Sequence, residues 1–119
     1  MESFKVEKPW GNFEQFSTNE KVTVKLLNVQ PNEALSLQFH YHRDELWRVI
    51  DGAGYIVIGK KKIPVKKGDE FFIPRSTTHQ IITNNFALII LEVSFGNFDE
   101  NDIVRLQDKY NRIPLNIDL

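Results

Sequence analysis

The stretch at residues 35–51, LSLQFHYHRDELWRVID, decides the fold class of this chain. Its first half alternates apolar and polar side chains, which is the pattern of a β-strand with one buried face. Successive side chains of a strand point to opposite faces, so Gln38, His40 and His42 share one face. Two of the chain's three histidines are therefore predicted to lie together on a polar strand face.

Similar short runs recur along the chain and are separated by Gly, Pro and Asn at intervals of about 8 to 12 residues, as in sandwiches and barrels. The predicted strands are 21–29, 35–42, 45–51, 54–59, 61–65, 69–74, 79–83 and 87–95. Ile103, Leu106 and Tyr110 recur at helical spacing, which predicts one short helix within 101–112. We therefore expect an all-β double-stranded β-helix, or jelly roll, with a short C-terminal helix.

The composition restricts the possible partners. A chain of 119 residues is the size of one domain, so residues 1–119 are expected to form a single domain. The net charge of -1 gives no electrostatic basis for binding nucleic acid or an anionic membrane, and neither partner is expected. No apolar stretch approaches the roughly 18 residues of a membrane span, and a cytoplasmic location is expected. Because the chain has no cysteine, any metal must be held by nitrogen and oxygen ligands.

Acidic and amide side chains accompany the histidines. If the chain turns at residues 43–44 into a paired strand, His42 lies opposite Glu45, and cross-strand partners point the same way. Gln38, His40 and Glu45 would then converge from two neighbouring strands, within reach of a small ion.

The third histidine, His79, follows the proline-bounded end of another predicted strand, in IPRSTTH at residues 73–79. The residues alone leave three interpretations open: a metal site, a pH-sensitive patch, or a polar strand face that is simply solvated. Trp10 and Trp47 are expected in the core, since aromatic side chains are more often buried than exposed.

The spacing of these residues resembles the two motifs of the cupins. The first motif has Gly, His-x-His, Glu and Gly at fixed intervals, and the positions that keep these intervals here are Asn32, Gln38, His40, Glu45 and Gly52. The second motif has Gly, Pro-x-Gly and His, and the matching positions are Gly68, Pro74, Ser76 and His79. Asn32 and Ser76 thus stand where the motifs have glycine.

The chain is more similar still to one branch of cupins, the type II mannose-6-phosphate isomerases. The matching segments are KPWG at 8–11, LSLQFHYHRDELW at 35–47, IPRSTTH at 73–79, LEVSFG at 91–96 and ENDIVRLQDKYNR at 100–112. This resemblance implies a metal-dependent enzyme that interconverts mannose 6-phosphate and fructose 6-phosphate. It also implies a sugar phosphate as the partner molecule and a homodimer.

The resemblance assigns roles to individual residues. The implied ligands of one divalent metal ion are Gln38, His40, Glu45 and His79. Such a set suits zinc first, with manganese, iron, cobalt or nickel as alternatives. The implied catalytic residues are His42 for proton transfer, because imidazole titrates near neutrality, and Arg43 and Lys25 for the substrate phosphate. The alternative function is a non-catalytic cupin that binds a sugar or sugar phosphate as a sensor or accessory subunit.

Overall fold

The computed structural model describes residues 3–110 and folds them into ten β-strands. The strands are β1 (Phe4–Lys8), β2 (Gly11–Gln15), β3 (Val22–Val29), β4 (Leu37–Phe39), β5 (Asp44–Ile58), β6 (Lys61–Lys66), β7 (Glu70–Ile73), β8 (His79–Ile82), β9 (Leu88–Phe95) and β10 (Val104–Gln107). No helix occurs within 3–110, and so none that could span a membrane. The all-β prediction is confirmed.

Eight of these strands form one antiparallel sheet system, in the order β10-β4-β8-β5-β9-β3, with β6 and β7 also paired to β5. The residues that fill its interior are apolar side chains from most of these strands. They include Val29, Trp47, Val49, Ile56, Val65, Ile73, Ile81, Leu88 and Ile90. Burial of this cluster removes apolar surface from water and is the main source of stability.

β5 connects two parts of the sheet system. Its first part, up to Gly52, pairs with β9 and its second part pairs with β8. Gly52 adopts φ +93°, and a Cβ there would overlap the carbonyl oxygen of Ala87. Two strands were predicted here with a turn between them, whereas the structure has one continuous strand that glycine allows to bend.

The hairpin predicted at residues 43–44 is wrong. β4 pairs with β8 and β10, and Glu45 in β5 lies opposite Ile73 and Ser94 instead of His42. The polar residues of the two segments therefore approach each other across the interior of the fold. Strand alternation predicts which side chains share a face of a strand. It does not predict which strands pair, because pairing depends on residues far away in the chain.

The helix predicted within 101–112 is also wrong over its described part, 101–110. Val104 and Arg105 instead pair with Phe39 and Gln38, so the segment adds a strand to the edge of β4. The β-branched pair Ile103–Val104 favours extended backbone. The added strand also pairs the backbone groups of β4, which would otherwise form an open edge.

The hairpin of β1 and β2 was not predicted. Its two strands pair only with each other among the described elements. Trp10, at its turn, is 72% exposed, so the prediction that it belongs to the core is wrong. Trp47 is buried, as predicted.

Candidate metal centre

Three ligand-type side chains meet inside the fold. His40 directly follows β4, Glu45 lies near the start of β5, and His79 begins β8. One nitrogen or carboxylate oxygen from each lies within 4.8 Å of the others, and all three residues are buried. Polar side chains are rarely buried together unless they bind each other or a ligand.

Both imidazoles are oriented by main-chain carbonyl groups. His40 Nδ1 donates to the carbonyl oxygen of Asp102 at 2.6 Å, and His79 Nδ1 donates to that of Thr77 at 2.9 Å. The second nitrogen, Nε2, of each ring is thereby left without a proton and turned towards Glu45. The two Nε2 atoms lie 3.7 Å and 3.5 Å from its carboxylate oxygens. Metal-binding histidines are held in the same way.

Two atoms of this cluster have no hydrogen-bond partner among the described residues. They are Glu45 Oε1 and His79 Nε2, both buried and facing each other at 3.5 Å. Each has a lone pair and no donor, an arrangement that is costly unless a cation lies between them. Two imidazole nitrogens and a carboxylate also match the donor preferences of zinc and related divalent ions. The residues therefore fit a divalent metal.

The histidines are held in the form that a metal requires. Burial lowers the pKa of His40 to about 4 and also lowers the pKa of His79, so both rings are neutral near pH 7. Burial raises the pKa of Glu45, and the adjacent Arg43 guanidinium opposes that rise. Only the neutral imidazole can donate a lone pair to a metal, so no proton has to leave either ring before an ion binds.

Gln38, the fourth predicted ligand, lies in β4 directly opposite His79 in β8. Cross-strand partners project to the same face of a sheet, so the amide belongs to the same side as the cluster. Its role as a ligand stays a prediction. On its other side Gln38 lies opposite Arg105 in β10, whose Nε is buried without a hydrogen-bond partner among the described residues.

Arg43 lies against the predicted ligands. Its Nε donates to Glu45 Oε2 at 3.0 Å and its Nη2 donates to His40 Nε2 at 3.1 Å. The guanidinium also stacks on Phe98, 4.5 Å from the ring centroid, and the side chain is only 8% exposed. Arg43 is therefore a buried partner of the cluster in this structure.

Lys25 also contacts the Phe98 ring. Its Nζ is 4.2 Å from the centroid of the Phe98 ring and 3.0 Å from Glu100 Oε1. Lys25 is also the strand partner of Glu92, which is in turn the strand partner of Trp47. Lys25 is thus near the cluster but partly exposed, and its predicted role in phosphate binding stays a prediction.

His42 lies outside the cluster of His40, Glu45 and His79. It is exposed, and its backbone N–H donates to Asp102 Oδ2 at 3.0 Å. It borders a polar cavity of about 450 Å³, which is also lined by Arg75, Asn97, Asp99 and Asp102. The role of His42 in proton transfer stays a prediction.

The sequence reasoning missed Glu92. This residue is buried and accepts a hydrogen bond from Trp47 Nε1 at 3.3 Å. Burial, and then the charge of Glu45, raise the pKa of Glu92 to about 7. A single acid within the apolar strand LIILEVSF was the signal in the sequence, because an unpaired acid is seldom placed in a buried strand without a role.

The sequence reasoning also missed Asp102, and the structure shows how Ser76, which stands at a motif glycine position, is accommodated. The Asp102 carboxylate accepts from the backbone N–H groups of Tyr41 and His42, at 2.9 and 3.0 Å. Ser76 adopts φ +65° and donates its backbone N–H to the carbonyl oxygen of His40 at 2.6 Å. Asn32 also has positive φ, at +57°, so both residues that replace motif glycines keep the left-handed backbone.

Comparison with known proteins places these residues in a family. The family model described as "Mannose-6-phosphate isomerase C-terminal" matches residues 2–108. The mannose-1-phosphate guanylyltransferase ManC of Salmonella typhimurium is 33% identical over 110 residues, which are 91% of this chain and 23% of that protein. The alginate biosynthesis protein AlgA of Pseudomonas aeruginosa is 33% identical over 90% of this chain and 23% of its own length.

A solved cupin protein from Bacteroides fragilis has a similar fold, with a TM-score of 0.59 and 18% identity. The match covers 66% of this chain and 70% of that one. The present chain spans about a quarter of the length of the two curated relatives. The family match extends from the N-terminal hairpin to β10 and includes all three buried ligand-type residues. The chain therefore belongs to the mannose-6-phosphate isomerase C-terminal family and has the cupin fold.

Proposed function

We propose that this chain is a divalent-metal-dependent sugar-phosphate isomerase domain that interconverts mannose 6-phosphate and fructose 6-phosphate. The observation that carries the proposal is the buried triad of His40, Glu45 and His79, with two facing lone pairs that lack a donor. Asp102, whose carbonyl oxygen accepts from His40, also lines a polar cavity. Family membership supplies the substrate class.

The metal would be held by His40, Glu45 and His79, with Gln38 as the proposed fourth ligand, and zinc is proposed first. A bound divalent ion supplies positive charge that stabilises an oxygen as it becomes an anion. The chain itself presents neutral imidazoles and a carboxylate in a fixed orientation, because Asp102 and Thr77 hold the two rings. This preorganisation avoids rearrangement when an ion binds.

The reaction moves a proton between two neighbouring carbon atoms of the open-chain sugar. A base takes the proton from C2, the electron pair forms a C1–C2 double bond, and negative charge develops on O1. The O2 hydroxyl proton passes to O1, the C2–O2 carbonyl forms, and the base returns its proton to C1, which gives the ketose. We propose His42 as the base because it borders the cavity, and imidazole is suited to proton transfer near neutral pH.

The substrate phosphate needs cationic partners. Lys25 and Arg43 are proposed from the family pattern, and both contact Phe98 at the edge of the cluster. Arg75 adds a third cation at the rim, since it lines the cavity and its side chain is 59% exposed. An arginine can bind two phosphate oxygens at once, which also orients the sugar.

Turnover tests the proposal directly. The protein is loaded with zinc or manganese, mannose 6-phosphate is added, and formation of fructose 6-phosphate is followed by a coupled assay. His79→Ala, which removes a proposed ligand, is expected to abolish turnover. Arg48→Gln changes a residue outside the triad, which pairs with Glu14 and Glu70, and is expected to keep turnover. Absence of turnover at any metal loading would contradict the proposal.

One observation favours the alternative of a non-catalytic sugar-phosphate-binding cupin. The hydrogen bond that holds His42 is made by its backbone, so the imidazole of the proposed base is not oriented by that bond. Catalytic bases are usually fixed by a second group. Binding of mannose 6-phosphate to the metal-loaded protein, measured by calorimetry without turnover, would favour this alternative.

A further inference from the structure

The Arg43 guanidinium contacts the same atoms that a metal would use. It donates to Glu45 Oε2 at 3.0 Å and to His40 Nε2 at 3.1 Å. On the other side of the cluster, Glu45 Oε1 and His79 Nε2 have no hydrogen-bond partner among the described residues. Arg43 thus provides hydrogen bonds to two of the four polar atoms, and the other two have no donor.

His40 cannot bind both cations at once. Its Nδ1 proton is donated to the Asp102 carbonyl, so Nε2 has a lone pair and no proton. An imidazole nitrogen has one lone pair in the plane of its ring. That lone pair accepts from Arg43 in this structure, and a metal would need the same electrons. His40 can therefore become a ligand only after its bond with Arg43 breaks.

Charge leads to the same conclusion. Arg43 forms a buried ion pair with Glu45, with Nε 3.0 Å from Oε2, and so balances the negative charge of that carboxylate. A divalent ion would overcompensate that charge. Arg43 would then lie next to excess positive charge in a buried place, where like charges repel strongly.

We infer that Arg43 is an internal competitor of the metal, and that binding of a divalent ion releases its guanidinium from His40 and Glu45. The released group has a nearby place to go. It already stacks on Phe98, and its Nη1 is 3.4 Å from the carbonyl oxygen of Asp99, which lines the polar cavity. Metal binding thus makes Arg43 available to an anionic group such as a phosphate.

This inference rests on the metal site of the proposed function but not on turnover. It predicts that removing the guanidinium strengthens metal binding. In a role restricted to substrate phosphate, the same change would leave metal affinity unaltered. If Arg43 instead served to orient the ligands His40 and Glu45, removing its guanidinium would weaken metal binding.

The test compares the zinc affinity of the wild type, Arg43→Gln and Arg75→Gln, measured by competition with a chromophoric chelator. Arg75→Gln is the matched control, because it removes an equal charge at the rim of the same cavity. Arg43→Gln is expected to bind zinc about tenfold or more tightly than the wild type, in line with the loss of hydrogen bonds from a charged donor. Arg75→Gln is expected to differ from the wild type by less than about threefold. Equal or weaker binding by Arg43→Gln would overturn the inference.

A second measurement uses the wild-type chain, in case Arg43→Gln folds poorly. The Arg43 Nε–H resonance is assigned by NMR in the metal-free protein, where its bond to Glu45 should protect it from exchange with water. On saturation with zinc the resonance should shift and exchange rapidly. An unchanged resonance in the zinc-bound protein would refute the release of Arg43.

The outcomes separate this inference from the proposed function. If turnover is absent but Arg43→Gln binds zinc more tightly than the wild type, the isomerase assignment is wrong and the competition between Arg43 and the metal is supported. If the protein is an active isomerase but Arg43→Gln binds zinc more weakly than the wild type, the competition is wrong and the isomerase assignment is supported. If neither the wild type nor Arg43→Gln binds zinc, the competition is wrong, whereas the isomerase assignment is wrong only if turnover with manganese is absent as well.

Discussion

His40 Nδ1 and the carbonyl oxygen of Asp102 lie 2.6 Å apart, although the two residues are separated by 62 positions in the chain. Through this bond the segment that precedes β10 fixes the ring of a candidate metal ligand beside β4. The Asp102 carboxylate meanwhile holds the next two backbone N–H groups. One residue thus fixes both the ring and the backbone that carries it.

Weakening this support should weaken metal binding. Asp102→Ala removes both carboxylate acceptors but keeps the carbonyl oxygen, so zinc affinity is expected to fall by about 10- to 100-fold. Asp102→Asn keeps one oxygen acceptor and should have an intermediate affinity. Chelator competition measures the series. Equal affinities in all three proteins would show that the carboxylate does not position His40.

The two kinds of histidine should differ in metal content. His40→Ala and His79→Ala are expected to lose the ion, of which the wild type should hold about one per chain. His42→Ala should retain it, because His42 lines the polar cavity and is not one of the three clustered residues. Metal content after gel filtration is measured by mass spectrometry. Loss of metal in His42→Ala with retention in His79→Ala would contradict this assignment.

The bend of β5 should tolerate no side chain at Gly52. Gly52→Ala combines a strained φ of +93° with an overlap against Ala87, and its free energy of unfolding should fall by more than about 3 kcal/mol. Gly68 has nearly the same φ, +94°, but open space around it. Gly68→Ala should therefore lose only about 1 kcal/mol, the cost of the backbone strain. Urea unfolding measures both variants, and equal losses would show that the close approach to Ala87 is unimportant.

The buried acid Glu92 should make stability depend on pH in the metal-free protein. Its pKa is about 7 in the folded chain and about 4.5 in the unfolded chain. Its contribution is therefore fully present below pH 4.5 and is lost as the pH rises through 7. Replacement by Gln removes this dependence, so the stability of Glu92→Gln relative to wild type should increase over this range by up to about 3 kcal/mol.

Comparison with the wild type is needed because the buried histidine His40 has the opposite effect. Its pKa falls from about 6.5 in the unfolded chain to about 4, so its contribution is lost as the pH decreases through that interval. The two effects oppose each other in the wild type, and Glu92→Gln should expose the histidine slope. Urea unfolding in the presence of a chelator, between pH 4.5 and 7.5, measures both. A difference that does not change with pH would contradict the raised pKa of Glu92.

The sequence by itself determined the all-β class and the identities of the clustered residues, although it did not predict β1, β2 and β10. Alternation within a strand is a local property, so Gln38 and His40 could be assigned to one face from their spacing alone. Glu45 was grouped with them through a hairpin that does not form, and the family motifs assigned Glu45 and His79 to the same ion; the structure brings these two together with His40. The fold family also followed from the motifs, because the glycine positions and ligand spacing are shared by its members.

Only the tertiary structure decided how these residues meet. The helix expected near the C-terminus became β10, because the edge of β4 supplies hydrogen-bond partners from far away in the chain. The hairpin expected after His42 was replaced by a long β5 that passes between two parts of the sheet. Arg43 and Glu92 acquired their relation to the cluster through burial, since desolvation and charge pairing depend on which segments pack together and leave no trace in local spacing.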